Sequence, residues 1–266
     1  MIVGQQRLKD KMNKLTLGNI PRSILLCGEI GSGRHTIVYD ISKRLNLDVL
    51  DITNRIDLDT IEYAIVGVEP HIYLVDTKNT TEKEQNTLLK FIEEPPGSAY
   101  IMLLSTNKDG LLQTIQNRCV VWTMDPYSEE ELHQFYGDCD AKKKEIVESI
   151  ARTPGQVILY QQHPVVDMKT LSKTILNNIA RATLPNTLTL IDRLSFKGEK
   201  QKFDPEIFFK VFLLETKNEF ITGNINGNAV DLSIKLLDAV TKYPNANKEH
   251  LFGKFLIELR SCMRGT

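Results

Sequence analysis

The sequence predicts an α/β fold built on a parallel sheet and followed by helical domains. Within the first 125 residues, short apolar stretches alternate with helical patterns, as a parallel α/β sheet requires. Three of these stretches are almost uninterrupted, which is expected for strands that are covered on both faces. After residue 125 the strand signal stops and only helical patterns follow.

Five strands and the helix between the first two can be placed from hydrophobic spacing. Ile37, Val38, Ile41 and Leu45 form one stripe along a predicted helix at Arg34–Leu45. The predicted strands are Ser23–Cys27, Asp48–Ile52, His71–Val75, Tyr100–Leu104 and Val120–Thr123.

A helix that is ended by a double proline follows the third strand. Thr81 and Glu84 have the spacing of a capping box, which marks the beginning of a helix. The segment Asn86–Pro96 reads NTLLKFIEEPP, and its apolar residues recur at helical spacing until Pro95 ends the pattern.

Helical patterns fill the remainder of the chain. Ser128 and Glu131 form a second capping box, before a helix that extends to about Tyr136. A helix is predicted from Gly155, and others at about Ala141–Arg152, Met168–Arg181, Pro205–Ile221, Ala229–Lys242 and Lys248–Met263. Phe208, Phe212 and Phe220 are expected to pack in the helical part. We predict an α/β core at 1–125, a small helical lid at 126–166 and a helical C-terminal domain at 167–266.

The composition is that of an ordinary soluble protein. Net charge is −1, divided into −6 for residues 1–150 and +5 for residues 151–266, which is too mild to indicate nucleic-acid contact. The four cysteines are far apart and include no CxxC pair, which argues against a zinc site or a disulfide framework. The sequence shows neither a signal peptide nor a long apolar run, so we expect a cytoplasmic protein without a membrane segment or a metal site.

The turn after the first strand has the spacing of a phosphate-binding loop. Residues 28–36 read GEIGSGRHT, in which four residues separate Gly28 from Gly33 and a third glycine, Gly31, lies between them. In such loops the backbone N–H groups point at phosphate oxygens, aided by the N-terminus of the following helix.

Two positions of this loop depart from the pattern of an active site. Arg34 stands where a lysine would reach the β- and γ-phosphates, and its planar guanidinium is not interchangeable with an ammonium. His35 stands where a hydroxyl would bind Mg²⁺, and Thr36 lies one residue further along, about 100° around the helix. We therefore expect the loop to bind ATP or ADP weakly or not at all.

The segment Asn86–Pro96, the loop and their order resemble clamp-loader AAA+ proteins, in particular the delta-prime subunits of DNA polymerase III clamp loaders. The resemblance implies that Asp76 is the Walker B carboxylate, and Thr77 replaces the glutamate that polarises the attacking water in active members. It also implies that Asn107 is the sensor-1 residue, and that Gln156 replaces the sensor-2 arginine. Gly28, Gly31, Gly33, Arg34, Asp76 and Asn107 would then be a vestigial nucleotide site.

The segment LLQTIQNRC at residues 111–119 resembles the family segment that carries a serine-arginine-cysteine motif. In the family this arginine projects into the ATP site of the neighbouring subunit, and the matching residue here is Arg118. A guanidinium in that place neutralises charge on the transferred phosphoryl group. The simpler alternative is that Arg118 is an ordinary charged residue before the fifth strand.

The resemblance implies a non-hydrolysing subunit of a DNA sliding-clamp loader in DNA replication. Its partners would be the loader ATPase subunits, the delta subunit and the sliding clamp, with primer–template DNA contacted indirectly, and the C-terminal domain would form the oligomeric collar. Two rival hypotheses are a divergent active ATPase that uses Arg34 in place of lysine, and a regulatory decoy that blocks a host loader. A further alternative is an unrelated α/β protein, in which the helix and the glycine-rich loop are ordinary structural elements.

Overall fold

Five parallel strands form one sheet in the order β2-β3-β4-β1-β5. The computed structural model describes residues 2–56, 69–95, 99–179, 181, 183, 186, 203–243 and 246–264. All five predicted strands are confirmed. Their bounds are Ser23–Cys27 (β1), Asp48–Asp51 (β2), His71–Asp76 (β3), Ala99–Ser105 (β4) and Val120–Thr123 (β5).

The helices that accompany the sheet include two that the sequence did not predict, the first and the fourth. Both predicted capping boxes are present, one joining Thr81 to Glu84 and the other joining Ser128 to Glu131. The third helix ends before Pro95, as predicted, while Pro96 lies outside the described residues. The helices are Gln6–Asn13 (α1), Arg34–Leu45 (α2), Glu82–Glu93 (α3), Gln113–Arg118 (α4) and Glu129–His133 (α5), with a short 3₁₀ helix at Thr77–Asn79.

The later part of the described chain is helical, as predicted. One helix begins at Val165, three residues before the predicted start, and the predicted end at Arg181 lies two residues beyond its last residue. The bounds are Ala141–Ile150 (α6), Pro154–Gln162 (α7), Val165–Ile179 (α8), Pro205–Ile221 (α9), Gly227–Lys242 (α10) and Lys248–Arg264 (α11).

The sheet has an apolar layer on each face. Side chains alternate along a strand, so Ile24 and Leu26 of β1 lie in the cluster that contains residues of α1 and α2. Leu25 and Cys27 lie in the opposite cluster, which contains residues of α3 and α4. Burial on both faces explains why these strands read as continuous apolar stretches.

The chain divides into two compact units. One consists of Met1–Gln134 with Arg152–Gln156, and the other of Phe135–Ala151 with Val157–Thr266. The division into a core at 1–125, a lid at 126–166 and a collar at 167–266 stays a prediction. In the part of the chain that the structure describes, no helix combines the length and the apolar character that crossing a membrane requires.

Aromatic side chains form the centre of the second unit. Phe208 and Phe212 are fully buried, as predicted, and their rings lie 5.8 and 5.9 Å from that of Phe252. The prediction was wrong for Phe220, which is 48% exposed. Phe220 occupies the last turn of α9, where the helical spacing continues beyond the packed part of the helix.

A buried carboxylate joins two helices of this unit. Glu215 of α9 is fully buried, and its oxygens lie 3.6 Å from the ammonium groups of Lys169 and Lys173 on α8. Asn218 donates a hydrogen bond of 3.2 Å to Oε1, whereas Oε2 has no hydrogen-bond partner among the described residues. The charge is therefore stabilised mainly by the two lysines, and burying it without them would be costly.

Replacing Glu215 with alanine is expected to destabilise the protein by about 2–3 kcal/mol, since it removes the shared partner of both lysines. Lys169 and Lys173 are 24% and 51% exposed, so water can solvate their charges when Glu215 is absent. The expected loss in the free energy of unfolding is therefore small for a buried ion pair. Urea unfolding followed by circular dichroism would measure it. Glu258→Ala on the exposed face of α11 is the matched control, with an expected change below about 0.5 kcal/mol. An equal effect of the two substitutions would contradict the structural role of Glu215.

Candidate functional site

The residues of the predicted nucleotide site lie at the carboxyl edge of the sheet. Gly28 follows β1, Asp76 ends β3, and Asn107 follows β4. The strand register places these ends level, because Cys27 pairs with Ser105. The sheet thus brings Gly28, Asp76 and Asn107 to one edge, where open α/β sheets bind their ligands.

The glycine loop is tied to its own chain through three successive carbonyl groups. Each accepts a hydrogen bond from a residue that comes more than ninety positions later in the sequence. These bonds fix the curvature of the loop without any ligand. They are Thr153 Oγ1 to the Ile30 oxygen at 2.8 Å, the Gly155 N–H to the Gly31 oxygen at 2.9 Å, and Tyr127 Oη to the Ser32 oxygen at 2.6 Å.

The Tyr127 hydroxyl is well suited to its role as a permanent donor. Burial raises its pKa to about 12, so the phenol stays protonated throughout the physiological range. Sequence reasoning missed this residue, since a tyrosine after a strand carries no local signal of a contact with a distant loop.

The beginning of α7 lies directly against the loop. Gly31 has a φ of +82°, and a Cβ there would lie 3.0 Å from the Cα of Gly155. A Cβ on Gly155 would lie only 2.6 Å from the Gly31 Cα and 3.0 Å from its carbonyl oxygen. The two backbones are therefore in contact, and neither position has room for a side chain.

Arg34 is buried at the first position of α2. Its side chain is only 6% exposed, and its Nη1 has no hydrogen-bond partner among the described residues. Burial lowers the pKa of its guanidinium, while the charges of Asp76 and Cys27 oppose that shift. A buried cation with an unpaired donor is costly to keep, so an anion beside this guanidinium would be stabilising.

The polar groups at the end of β3 are engaged within the protein. Asp76 accepts a hydrogen bond from the Lys78 N–H at 3.0 Å, and its own N–H donates to Thr53 Oγ1. Thr77 is buried and its hydroxyl donates to the carbonyl of Leu104 at 2.9 Å. Thr77 therefore has neither the chemistry nor the freedom of a general base.

The sensor positions are also occupied by local bonds. Asn107 accepts a hydrogen bond from the Gly110 N–H at 3.0 Å, which closes the turn after β4. Gln156 accepts one from the Arg152 N–H at 2.8 Å, at the beginning of α7. Buried Gln85 of α3 contacts the segment after β4, where its Oε1 accepts a hydrogen bond from the Leu112 N–H at 2.9 Å. The sequence around Gln85 gave no indication of this contact.

These side chains do not fit a magnesium–nucleotide complex of the hydrolysing kind. Mg²⁺ prefers oxygen ligands, and the loop supplies His35 where a hydroxyl is needed. Asp76 is the one carboxylate among the residues predicted for this site, and one of its oxygens already accepts the Lys78 N–H. His35 lacks the hydroxyl that a magnesium site of this kind needs, and Thr77 lacks a basic group, so these two positions do not fit a hydrolysing site.

Arg118 lies at the opposite edge of the sheet. It is the last residue of α4 and comes two residues before Val120, which pairs with Ile24 near the amino end of β1. Its Nη2 lies 2.8 Å from Oε1 of Glu93, and its Nη1 donates to the carbonyl of Thr114 at 3.2 Å. The side chain of Arg118 is 41% exposed, so it is accessible from solvent.

Comparisons with known proteins find similarity to subunits of DNA polymerase III. Residues 51–128 match the family described as DNA polymerase III, delta subunit. The chain is 29% identical to DNA polymerase III subunit gamma of Buchnera aphidicola (subsp. Acyrthosiphon pisum) over 169 residues, which are 50% of this chain and 47% of that protein. It is 32% identical to subunit delta' of Haemophilus influenzae over 89 residues, which are 33% of this chain and 27% of that protein. The chain thus spans about half the length, or less, of these relatives.

A solved structure supports the fold. A DNA polymerase III gamma subunit-related protein from Thermotoga maritima superposes with a TM-score of 0.55 at 17% identity, covering 98% of this chain and all of the other. At this identity the likeness concerns the fold alone.

Gly155→Ala is expected to destabilise the protein by about 1–3 kcal/mol, because its Cβ would overlap the Gly31 backbone. The midpoint of urea unfolding would report the loss. Gly18→Ala is the control, since the nearest atom to its added Cβ is 3.9 Å away. If both variants unfolded at the same urea concentration, the contact between Gly31 and Gly155 would not contribute to stability.

Proposed function

We propose that this chain belongs to the clamp-loader family of DNA polymerase III subunits and is a non-hydrolysing subunit of a loader. Its own glycine loop would have a structural role. Arg118 would complete the ATP site of a neighbouring subunit and act there as an arginine finger.

The observation that carries this proposal is the position of Arg118 relative to the loop. From Ile24, the partner of Val120, to Gly28 the chain advances roughly 13 Å along β1 at about 3.3 Å per residue. Arg118 precedes Val120, so it begins still further from the loop. A guanidinium at this edge serves a phosphate that another subunit holds, rather than one in its own loop.

The chemistry of the loop supports the same division of roles. His35 offers no hydroxyl, Thr77 is bonded to Leu104, and Gln156 is bonded within the beginning of α7. Nucleotide would bind weakly, through Arg34, or not at all. A subunit of this kind contributes to hydrolysis only through what it presents to its neighbour.

The partners follow from the family. We propose that the chain assembles with loader ATPase subunits of the gamma kind and with a delta subunit, mainly through its helical part at 167–266. The complex would act on a sliding clamp, and primer–template DNA would be contacted indirectly. Phe220 and Ile221 at the end of α9 are exposed, as are Ile234 and Ile257, so apolar side chains of this part are available for assembly.

Arg118→Ala is expected to reduce the DNA-stimulated ATP turnover of reconstituted partner subunits by about 10³-fold or more, because the developing charge on the phosphoryl group loses its cation. Steady-state turnover of the assembled complex would measure this, with assembly verified by gel filtration. Arg44→Ala, which removes an exposed arginine on α2, is the control and should leave turnover unchanged. Full turnover with Arg118→Ala in an intact complex would refute the trans-acting role.

The buried, incompletely bonded guanidinium of Arg34 favours one second candidate, a divergent ATPase. In that case the purified chain would turn over ATP by itself and would lose this activity on Asp76→Ala. The decoy hypothesis is tested by the same reconstitution, since a decoy would lower clamp loading by the other subunits when it is added, whereas a working subunit would raise it.

A further inference from the structure

The end of α3 holds the guanidinium of Arg118 in place. Oε1 of Glu93 lies 2.8 Å from Nη2, and the carbonyl of Thr114 accepts a bond from Nη1 at 3.2 Å. Both charged side chains are only partly exposed, at 41% for Arg118 and 44% for Glu93. Two contacts from two helices thus restrict an otherwise flexible side chain.

Without the cation of Arg118, the negative charge of Glu93 would be unfavourably placed. Glu93 is the last residue of α3 and Glu94 follows it, so two acids lie at the negative end of the helix dipole. Arg118 is itself the last residue of α4, where a cation is favoured. The guanidinium therefore lies where a carboxylate and the carbonyl end of its own helix both attract it.

The contact leaves donors available. Glu93 approaches Arg118 at Nη2, 2.8 Å from Oε1, and Thr114 accepts from Nη1. A guanidinium has five N–H donors, which is more than the contacts with Glu93 and Thr114 can use. The ion pair therefore orients the guanidinium and still leaves N–H donors for a second anion.

We propose that Glu93 is a positioning residue for Arg118, which presents the guanidinium in one orientation to the phosphate of the neighbouring subunit. The inference depends on the proposed function of Arg118. Ordering a long arginine side chain costs conformational entropy, and a contact formed before the phosphate arrives removes that cost from the reaction step. Glu93 acts only through Arg118 and does not touch the phosphate.

The test is DNA-stimulated ATP turnover of the reconstituted complex with three variants of this chain. Glu93→Ala is expected to lower kcat by roughly ten- to a hundredfold, the cost of a misplaced catalytic group, with little change in KM for ATP. Glu93→Gln keeps an oxygen at the same place and is expected to retain most of the turnover. Glu94→Ala, which removes the adjacent exposed carboxylate, is the matched control and should leave kcat unchanged.

A double variant separates this inference from the proposed function. If Glu93 acts through Arg118, Arg118→Ala with Glu93→Ala turns over no more slowly than Arg118→Ala alone. A further loss in the double variant, or unchanged turnover with Glu93→Ala while Arg118→Ala is inactive, would overturn the positioning role alone. Increased turnover with Glu93→Ala would also overturn it, because Glu93 would then be restraining the arginine. Unchanged turnover with Arg118→Ala would overturn both proposals.

Discussion

The parallel pairing of β1 with both β4 and β5 is the constraint on which the rest of the structure depends. Because every strand of the sheet runs in the same direction, residues that follow strands gather at one edge and residues that precede them gather at the other. The glycine loop and Asp76 lie at the first edge, and Arg118 lies at the second. The chain thereby carries two chemically distinct sets of residues at opposite ends of its strands.

The geometry of the loop is kept by contacts that are independent of phosphate chemistry. Tyr127, Thr153 and Gly155 bond three successive carbonyl groups, so the backbone keeps its curvature whichever side chains stand at positions 34 and 35. Arg34 remains buried with an unused donor, partly compensated by Asp76. Backbone shape and side-chain chemistry are thus determined separately, and the first can persist without the second.

The sheet and most helices could be predicted because their signals are local. Apolar stretches marked the strands, and the boxes at Thr81 and Ser128 marked helix starts. The helix α4 has six residues, too few for a hydrophobic stripe, and was missed. The bonds of Gln85, the Arg118–Glu93 pair and the contact of Gly31 with Gly155 join residues far apart in the sequence. No periodic pattern records such contacts, so only the structure could provide them.

The close backbone contact between Gly31 and Gly155 affects how glycine-rich turns are interpreted in other sequences. Both positions exclude a side chain for reasons of space alone. Crowding alone can therefore keep the spacing of a phosphate-binding motif, whether or not the loop binds a nucleotide. A pattern search that counts only glycines would then not separate chains that hydrolyse ATP from chains that do not. The residues at the positions of Arg34 and His35 are more informative.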